Sequence, residues 1–167
     1  MEAREVLEKV KNNEISIEEA EKYFKKEPFE EMGYAKLDTH REIRSGFAEV
    51  IFCARKADEH LLKIFTRLYE QDGEVFGTRA SEHQYELIRE KFPEKTIWMY
   101  TGDSWEDIYD LPIMQYVDVV VDGEFHVEEK DVKLLWKGSK NQRVIDVKKT
   151  LAGEHPEDAV LHCGDYK

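Results

Sequence analysis

Cysteine is scarce in this chain of 167 residues, which contains only Cys53 and Cys163. The six histidines form no HExxH motif, and His162 beside Cys163 supplies too few ligands for a zinc site. We therefore predict no metal site and expect both thiols to be small buried side chains, as in most cytosolic proteins. The chain also has no GxSxG, GxGxxG or P-loop motif, so the enzyme classes that depend on those motifs have no support.

An excess of positive charge is lacking as well, and so are long apolar runs. The chain has 25 Lys and Arg residues against 37 Asp and Glu residues, and its net charge is −12. Because nucleic-acid binding needs an electropositive surface, this balance predicts no nucleic-acid partner. No run approaches the roughly 20 apolar residues of a membrane span. The N-terminus has no apolar signal region, so we expect a cytoplasmic protein without a membrane partner.

The apolar spacing predicts an α/β fold with a mostly parallel sheet, crossover helices, and two N-terminal helices that precede the sheet. The N-terminal helices fall within residues 2–26 and are separated by Asn12 and Asn13. In the second helix, Ser16 followed by Glu19 has the spacing of a capping box. The predicted strands are 49–53, 74–78, 96–101 and 117–121, with 159–163 as a candidate last strand, and the predicted crossover helices are 58–71 and 82–92.

The loops that follow parallel strands are a predicted ligand-binding edge. Thr78 and Arg79 come directly after a strand and before a helix whose expected N-cap is Ser81. Gly102 and Asp122 follow the next two strands. Arg79 is therefore a candidate anion contact, and the alternative is an ordinary surface arginine.

Residues 33–53 form the densest polar segment of the first half. Asp38, His40, Arg41 and Arg44 lie within seven positions. Two arginines three residues apart can share one helix face, and their planar guanidinium groups suit phosphates or carboxylates. The alternative is an internal ion-pair network with Asp38 and Glu42.

The segment GYAKLDTHREIRSGFAEVIFC at 33–53 and the segment TRAS at 78–81 carry a resemblance to a known family. Residues 1–88 resemble the N-terminal domain of LarB-type proteins, which are pyridinium dinucleotide carboxylase/hydrolases of nickel-pincer cofactor synthesis. The resemblance implies a pyridine dinucleotide as a candidate ligand. In that family a second domain carries the reactive cysteine, and this chain has no counterpart of that domain. Ala48 also departs from the proline that is usual in the family.

The segments KTIWMYTG, VDVVVDGEF and LLWKGSKNQRVIDVKKTL carry a second resemblance. The region from about residue 90 to the end resembles the C-terminal half of anaerobic ribonucleotide reductase activating proteins. These are radical S-adenosylmethionine enzymes that install a glycyl radical on a reductase. The resemblance implies S-adenosylmethionine as a candidate cofactor and a glycyl-radical reductase as a candidate partner. Because an iron–sulfur cluster needs closely spaced thiolates and the chain has no CxxxCxxC motif, we do not expect a cluster.

The stretch 133–149 is locally basic in an acidic protein. Gly138 and Ser139 are predicted to expose backbone amides to a ligand, and the candidate side chains that would orient a ligand or a partner peptide are Lys137, Asn141, Gln142 and Arg143. The alternative is a turn that closes onto a C-terminal helix, with lysines favoured near the helix end by its dipole.

Three hypotheses for function follow. The favoured one is a nucleotide- or partner-binding module in which a LarB-like region (1–88) and a reductase-activating-protein-like region (89–167) share one continuous sheet without the catalytic centre of either family. The second is an enzyme of nickel-pincer cofactor synthesis that acts on a pyridinium dinucleotide. The third is a recombinant or engineered fold without evolved activity, joined within the strand–helix–strand pattern of residues 73–102. A homo-oligomer is compatible with all three.

Overall fold

The computed structural model describes residues 3–24, 29–38, 41 and 49–162. The chain divides into two compact units, the first formed by residues 1–51 and 63–78 and the second by residues 52–62 and 79–167. The division at residue 88 predicted from the sequence separates regions that resemble two different families. It is a different kind of division from these compact units, and it stays a prediction. None of the helices among the described residues is long and apolar enough to cross a membrane.

Helices and short strands alternate along most of the described chain. The α-helices are α1 (Ala3–Lys11), α2 (Ile17–Phe24), α3 (Asp58–Asp72), α4 (Glu82–Lys91), α5 (Trp105–Ile108) and α6 (Val147–Leu151). The strands are β1 (Glu30–Glu31), β2 (Lys36–Leu37), β3 (Val50–Phe52), β4 (Phe76–Thr78), β5 (Trp98–Tyr100), β6 (Val119–Asp122) and β7 (Arg143–Asp146). Two 3₁₀ helices span Pro112–Tyr116 and Val127–Glu129. The predicted α/β class is confirmed at this level.

The first unit contains α1, α2 and most of α3. The predicted capping box of α2 is present, because the Ser16 amide donates to Glu19 Oε2 at 2.9 Å and the Glu19 amide donates to Ser16 Oγ at 3.1 Å. β1 and β2 pair antiparallel. The buried apolar side chains of this unit are Val6, Ala20, Leu37, Ile51, Ile64, Phe65 and Leu68.

The second unit is built on the three-stranded sheet β5–β6–β7. β6 is the central strand, and it pairs parallel with β5 and antiparallel with β7. All four residues of β6 are buried, as expected for a strand covered on both faces. One apolar cluster of this unit comprises Trp105, Ile108, Met114, Val117, Val120, Ile145 and Val147.

The prediction of one mostly parallel sheet is not confirmed. The described strands form three small sheets, β1–β2, β3–β4 and β5–β6–β7. β4 and β5 therefore belong to different sheets, although α4 connects them as predicted. β7, the strand that follows β6 along the chain, pairs antiparallel with β6. An antiparallel pair does not need the crossover helix that parallel strands require. Within the described part of the predicted last strand, Leu161 makes a single antiparallel bridge to Ile145, and Cys163 lies outside the described residues.

Two serines at helix N-termini behave differently. Ser81 caps α4, as predicted, and the structure shows that it does so in a full capping box with Gln84. Ser104 occupies the N-cap position of α5 but makes no side-chain capping bond. The first amide of α5, that of Trp105, donates instead to Asp122 Oδ2 at 2.9 Å. A buried carboxylate from β6 therefore stabilises this helix start.

Candidate functional site: the turn and pocket beside β7

The candidate residues of the first unit are only partly described. Arg41 Nη1 lies 3.3 Å from Glu49 Oε2, and Asp38 is half-buried. His40 and Arg44 lie outside the described residues. The contact gives Arg41 a carboxylate partner that differs from those considered from the sequence, and a ligand-binding role for this segment stays a prediction.

Thr78 and Arg79 are exposed at the end of β4. The Arg79 guanidinium carbon lies 6.0 Å from the centroid of the Phe52 ring, which is at the outer limit of a cation–π contact. Arg79 has a φ of 55°, an uncommon conformation for a residue other than glycine. An anion-binding role for Arg79 stays a prediction.

The Gln142 side chain fixes the turn before β7. Its Oε1 accepts hydrogen bonds from the amides of Gly138, at 2.9 Å, and Ser139, at 3.2 Å. Its Nε2 donates to the Gly123 carbonyl at 3.0 Å. The expectation that Gly138 and Ser139 expose their amides is therefore wrong, because a buried side chain three to four residues later already accepts from both.

The other polar residues of the turn also bind the backbone. Lys137 Nζ donates to the carbonyls of Gln142 at 2.6 Å and Lys140 at 3.2 Å. Asn141 Nδ2 donates to the Glu124 carbonyl at 2.8 Å. Ser139 is buried, and its Oγ accepts from the His126 amide at 3.2 Å. These contacts favour the alternative interpretation of this stretch, a turn that precedes a C-terminal helix. The structure differs in one respect, because the strand β7 lies between the turn and the helix α6.

Gly138 packs closely against Phe125. A Cβ atom at Gly138 would lie 3.0 Å from two carbons of the Phe125 ring, so the ring would have to shift by a few tenths of an ångström to admit a side chain there. The turn therefore presses against the segment that follows β6.

Arg143 is held between two carboxylates. Its two Nη atoms bond the two carboxylate oxygens of Glu106 at 2.8 Å each, and its Nε lies 3.1 Å from Asp122 Oδ2. The hydrogen bond from Arg143 lowers the pKa of Glu106 to about 2. The carboxylates of Glu106 and Asp122 accept hydrogen bonds from the guanidinium, and these bonds raise the pKa of Arg143 above its ordinary value. Arg143 is therefore a structural cation whose charge is already compensated.

Two buried aspartates have larger roles than the sequence suggested. Asp122, which the sequence analysis placed after a strand at the predicted ligand-binding edge, accepts from the Arg143 amide at 3.1 Å as well as from the Trp105 amide. Asp118 accepts from the Ile97 amide at 2.8 Å and pairs with Arg89 and Lys148.

Burial by itself would raise the pKa of Asp118, but hydrogen bonds from Lys148, the Ile97 amide and Arg89 lower it below its ordinary value. Asp118 and Asp122 could have been suspected from the sequence, because each adjoins an unbroken valine run that must be buried.

A pocket of about 330 Å³ opens beside this turn. Its lining comprises Leu135, Trp136, Lys137, Lys140, Asn141, Gln142, Arg143, Val144, Leu161 and His162. Four of the predicted candidates, Lys137, Asn141, Gln142 and Arg143, thus come together at one site. Sequence reasoning missed the aromatic wall of Trp136 and His162, since those residues lie 26 positions apart.

Trp136 belongs to a cluster of three aromatic rings. Its ring centroid lies 5.6 Å from that of Trp98 and 5.8 Å from that of His162. Trp98 and His162 are themselves 5.9 Å apart, edge to face. Trp136 also has a φ of 62°, so a bulky residue occupies a backbone conformation that usually favours glycine.

Two family models match overlapping parts of the chain. The LarB/PurE-like N-terminal domain matches residues 29–102, and the 4Fe-4S single cluster domain matches residues 76–145. The overlap, 76–102, runs from β4 through α4 to β5. The two resemblances predicted from the sequence are confirmed, and their shared part is the strand–helix–strand unit.

Curated relatives match parts of the chain. The anaerobic ribonucleoside-triphosphate reductase-activating protein of Enterobacteria phage T4 is 40% identical over 77 residues, which is 46% of each chain. The protein of the same name from Haemophilus influenzae is 35% identical over 57 residues, 33% of this chain and 37% of the relative. The uncharacterized protein MJ0165 of Methanocaldococcus jannaschii is 32% identical over 80 residues, 47% of this chain and 31% of the relative. The chain spans less than half the length of these relatives, and no solved structure matches.

The residues matched to the cluster domain do not fit a cluster. Iron–sulfur clusters of this type are held by cysteine thiolates, and residues 76–145 contain no cysteine. Cys53, outside the match, is fully buried after β3. The matched segment therefore resembles the cluster domain in sequence without supplying the ligands.

Proposed function

We propose that the chain is a partner-binding module that docks on a protein of the anaerobic ribonucleotide reductase type. The support is an exposed apolar segment, residues 125–136, within the part matched to the 4Fe-4S family. Relatives of the chain are named as reductase-activating proteins. Because the matched residues lack cysteine, we propose that this chain binds such a reductase but does not perform the radical chemistry of an activating protein.

The docking segment exposes several apolar side chains in succession. Val132 is 88% exposed and Leu135 is 71% exposed, while Phe125 and Val127 are each at least half exposed. Single exposed apolar residues are normal on a protein surface, but several of them within one short segment indicate an interaction surface. This grouping is the observation that carries the proposal.

The docking segment is also held in place by the turn that follows it. The Lys140 amide donates to the Glu129 carbonyl at 3.1 Å, and the Asp131 amide donates to the Gly138 carbonyl at 3.3 Å. An ordered surface loses less conformational entropy on binding than a free loop does. The segment therefore presents its apolar side chains in a preformed arrangement.

Lysines accompany the apolar side chains. Lys133 and Lys140 are exposed within or beside the docking segment, in a chain whose net charge is −12. Charges at the rim of an interface mainly steer association and set orientation. Glu128, Glu129 and Asp131 lie in the same segment, so we expect the partner surface to be apolar at its centre and to carry charges of both signs at its edge.

The test is binding to the purified anaerobic ribonucleoside-triphosphate reductase of phage T4, measured by biolayer interferometry under anaerobic conditions. The double variant Val132→Ser/Leu135→Ser removes two exposed apolar side chains, and we expect at least about tenfold weaker binding, because full burial of a valine or leucine side chain stabilises by about 1.5–3 kcal/mol. The melting temperature should stay unchanged, since neither side chain is buried.

The matched control is Leu111→Ser. Leu111 is 45% exposed and lies outside the docking segment, so this variant should bind as the wild type does. Absence of wild-type binding at micromolar concentrations, or equal weakening by the control, would overturn the proposal.

The match at residues 29–102 supports a second candidate function, the binding of a pyridinium dinucleotide. Calorimetry with nicotinic acid adenine dinucleotide tests it, together with a carboxylation assay in bicarbonate. Saturable binding that is weakened by Arg79→Ala would support it. Equal heats for the wild type and a buffer blank would exclude it.

A further inference from the structure

The pocket beside Trp136 has features that docking of a protein does not explain. Trp136 keeps a left-handed backbone, with φ of 62°, at a position where glycine would avoid the steric cost. Strained conformations of this kind persist where the surroundings hold them and are concentrated at binding sites. Trp136 is one of the residues that line the pocket.

The indole is braced from behind and partly open in front. Trp98 and His162 pack against it with interplanar angles of 55° and 58°, while 37% of Trp136 remains exposed. A fixed, partly exposed indole is a stacking platform for a planar ring, and stacking of this kind tolerates any nucleobase.

The charge of the lining favours an anion. Lys137, Lys140 and Arg143 line the pocket, and no carboxylate is among the lining residues that the structure describes. Arg143 is compensated by Glu106 and Asp122. Lys137 Nζ contacts only neutral carbonyl oxygens in the bonds described above, and Lys140 is exposed. The two lysines therefore leave positive charge at the rim for a phosphate group.

The volume restricts the size of the ligand. Pockets for small ligands range from about 300 to 1,000 Å³, and this one, at about 330 Å³, lies at the small end. It suits one nucleotide unit better than a dinucleotide. We propose that this pocket binds a nucleoside monophosphate, with the base stacked on Trp136 and the phosphate held by Lys140 and Lys137. This small-molecule site goes beyond the proposed docking function and does not depend on it.

The test is titration of the whole chain, without any protein partner, with adenosine 5′-monophosphate. Tryptophan fluorescence and calorimetry follow the binding. We expect saturable binding with quenching of fluorescence, and at least about tenfold weaker binding for adenosine or inorganic phosphate alone, since each lacks one of the two contacts.

Two variants separate the contacts. Trp136→Gly removes the indole and suits the left-handed backbone, but it also removes the packing against Trp98 and His162, so we expect a lower melting temperature. At a temperature where this variant is folded, nucleotide binding should be at least about tenfold weaker. Lys140→Ala should weaken adenosine 5′-monophosphate severalfold but leave adenosine unaffected, because only the former carries a phosphate.

The matched control is Lys133→Ala, which removes a lysine of the same basic stretch that does not line the pocket. It should bind the nucleotide as the wild type does. The proposal is overturned if the wild type shows no saturable binding at millimolar nucleotide, if Trp136→Gly binds as tightly as the wild type, or if Lys133→Ala weakens binding as much as Lys140→Ala. None of these results bears on reductase docking, which is measured separately.

Discussion

Arg143 and Glu106 form a bidentate ion pair, with two hydrogen bonds of 2.8 Å between the guanidinium and the carboxylate. The pair joins the first residue of β7 to α5, and Asp122 of β6 lies on the other side of the same guanidinium. Three elements of the second unit are thus linked through one side chain. The basic turn is anchored by this side chain at the point where it enters the sheet.

The first prediction concerns the pH dependence of stability through Glu106. Its pKa falls from 4.5 to about 2 in the folded protein, so its stabilising effect is present above pH 4.5 and is lost as the pH falls toward 2. Glu106→Gln should lower the free energy of unfolding by about 0.5–1 kcal/mol at pH 7, a small value because the pair is exposed. Urea unfolding at pH 7 and pH 3 should show this difference shrinking at the lower pH.

The neighbouring Asp107→Asn is the control for charge alone. Asp107 is exposed on the same helix, and its substitution should change stability by less than about 0.5 kcal/mol at either pH. A Glu106→Gln effect that stays constant between pH 7 and pH 3 would contradict the assignment to this ion pair.

The second prediction is that Asp122 is among the most sensitive positions of the second unit. Its carboxylate is 1% exposed and accepts from the Trp105 and Arg143 amides. Asp122→Ala should cost about 3–5 kcal/mol, because it leaves two buried donors and a guanidinium without their acceptor. Asp122→Asn keeps one acceptor oxygen and should cost less. Chemical denaturation measures both, and equal costs for the two variants would argue against the hydrogen bonds as the cause.

The third prediction concerns the Gln142 clamp. Gln142→Leu keeps the size of the side chain but removes the acceptor for Gly138 and Ser139 and the donor to Gly123. We expect a loss of about 1–3 kcal/mol, the cost of leaving such buried groups unsatisfied. Amide hydrogen exchange should accelerate at Gly138 and Ser139 specifically.

Asn141→Ala is the matched comparison for the clamp, because Asn141 is exposed and makes one bond, to the Glu124 carbonyl. Its cost should stay below about 1 kcal/mol, since water can replace that bond. Unchanged exchange at Gly138 and Ser139 in Gln142→Leu would show that the clamp does not hold the turn.

The fourth prediction compares two serines at N-cap positions. Ser81→Ala removes a full capping box at α4 and should cost about 1 kcal/mol. Ser104→Ala removes a hydroxyl that makes no capping bond at α5 and should fall within about 0.5 kcal/mol of the wild type. Thermal unfolding of the two variants side by side decides the matter, and equal losses would remove the distinction.

Local patterns predicted local structure well in this chain. The helices at 58–72 and 82–91 lie within a residue of their expected bounds, the capping box at Ser16 has the predicted contacts, and Ser81 is the N-cap that the sequence predicted. Periodicity and capping depend on neighbouring residues, so both can be deduced from a single sequence. The partners of each strand depend on distant residues, which is why the separate sheets of β4 and β5 were not foreseen.

The candidate site shows the same limit. Residues of the basic stretch line a pocket, but the amides of Gly138 and Ser139 donate to Gln142, because spacing alone does not reveal which acceptor the chain itself supplies. Trp136 and His162 meet only once the segment after β7 returns toward β5. The aromatic wall of the pocket is therefore a product of tertiary structure.

The helix that both family matches share closes its own ends. The capping box of Ser81 and Gln84 completes its start, the Phe92 amide bonds the Ile88 carbonyl at its end, and Arg89 binds the carbonyls of Lys95 and Tyr116. Residues 81–92 therefore supply both caps of this helix, while Arg89 ties the helix to the segment that follows it. Replacing residues that precede Ser81 should leave the start of this helix intact.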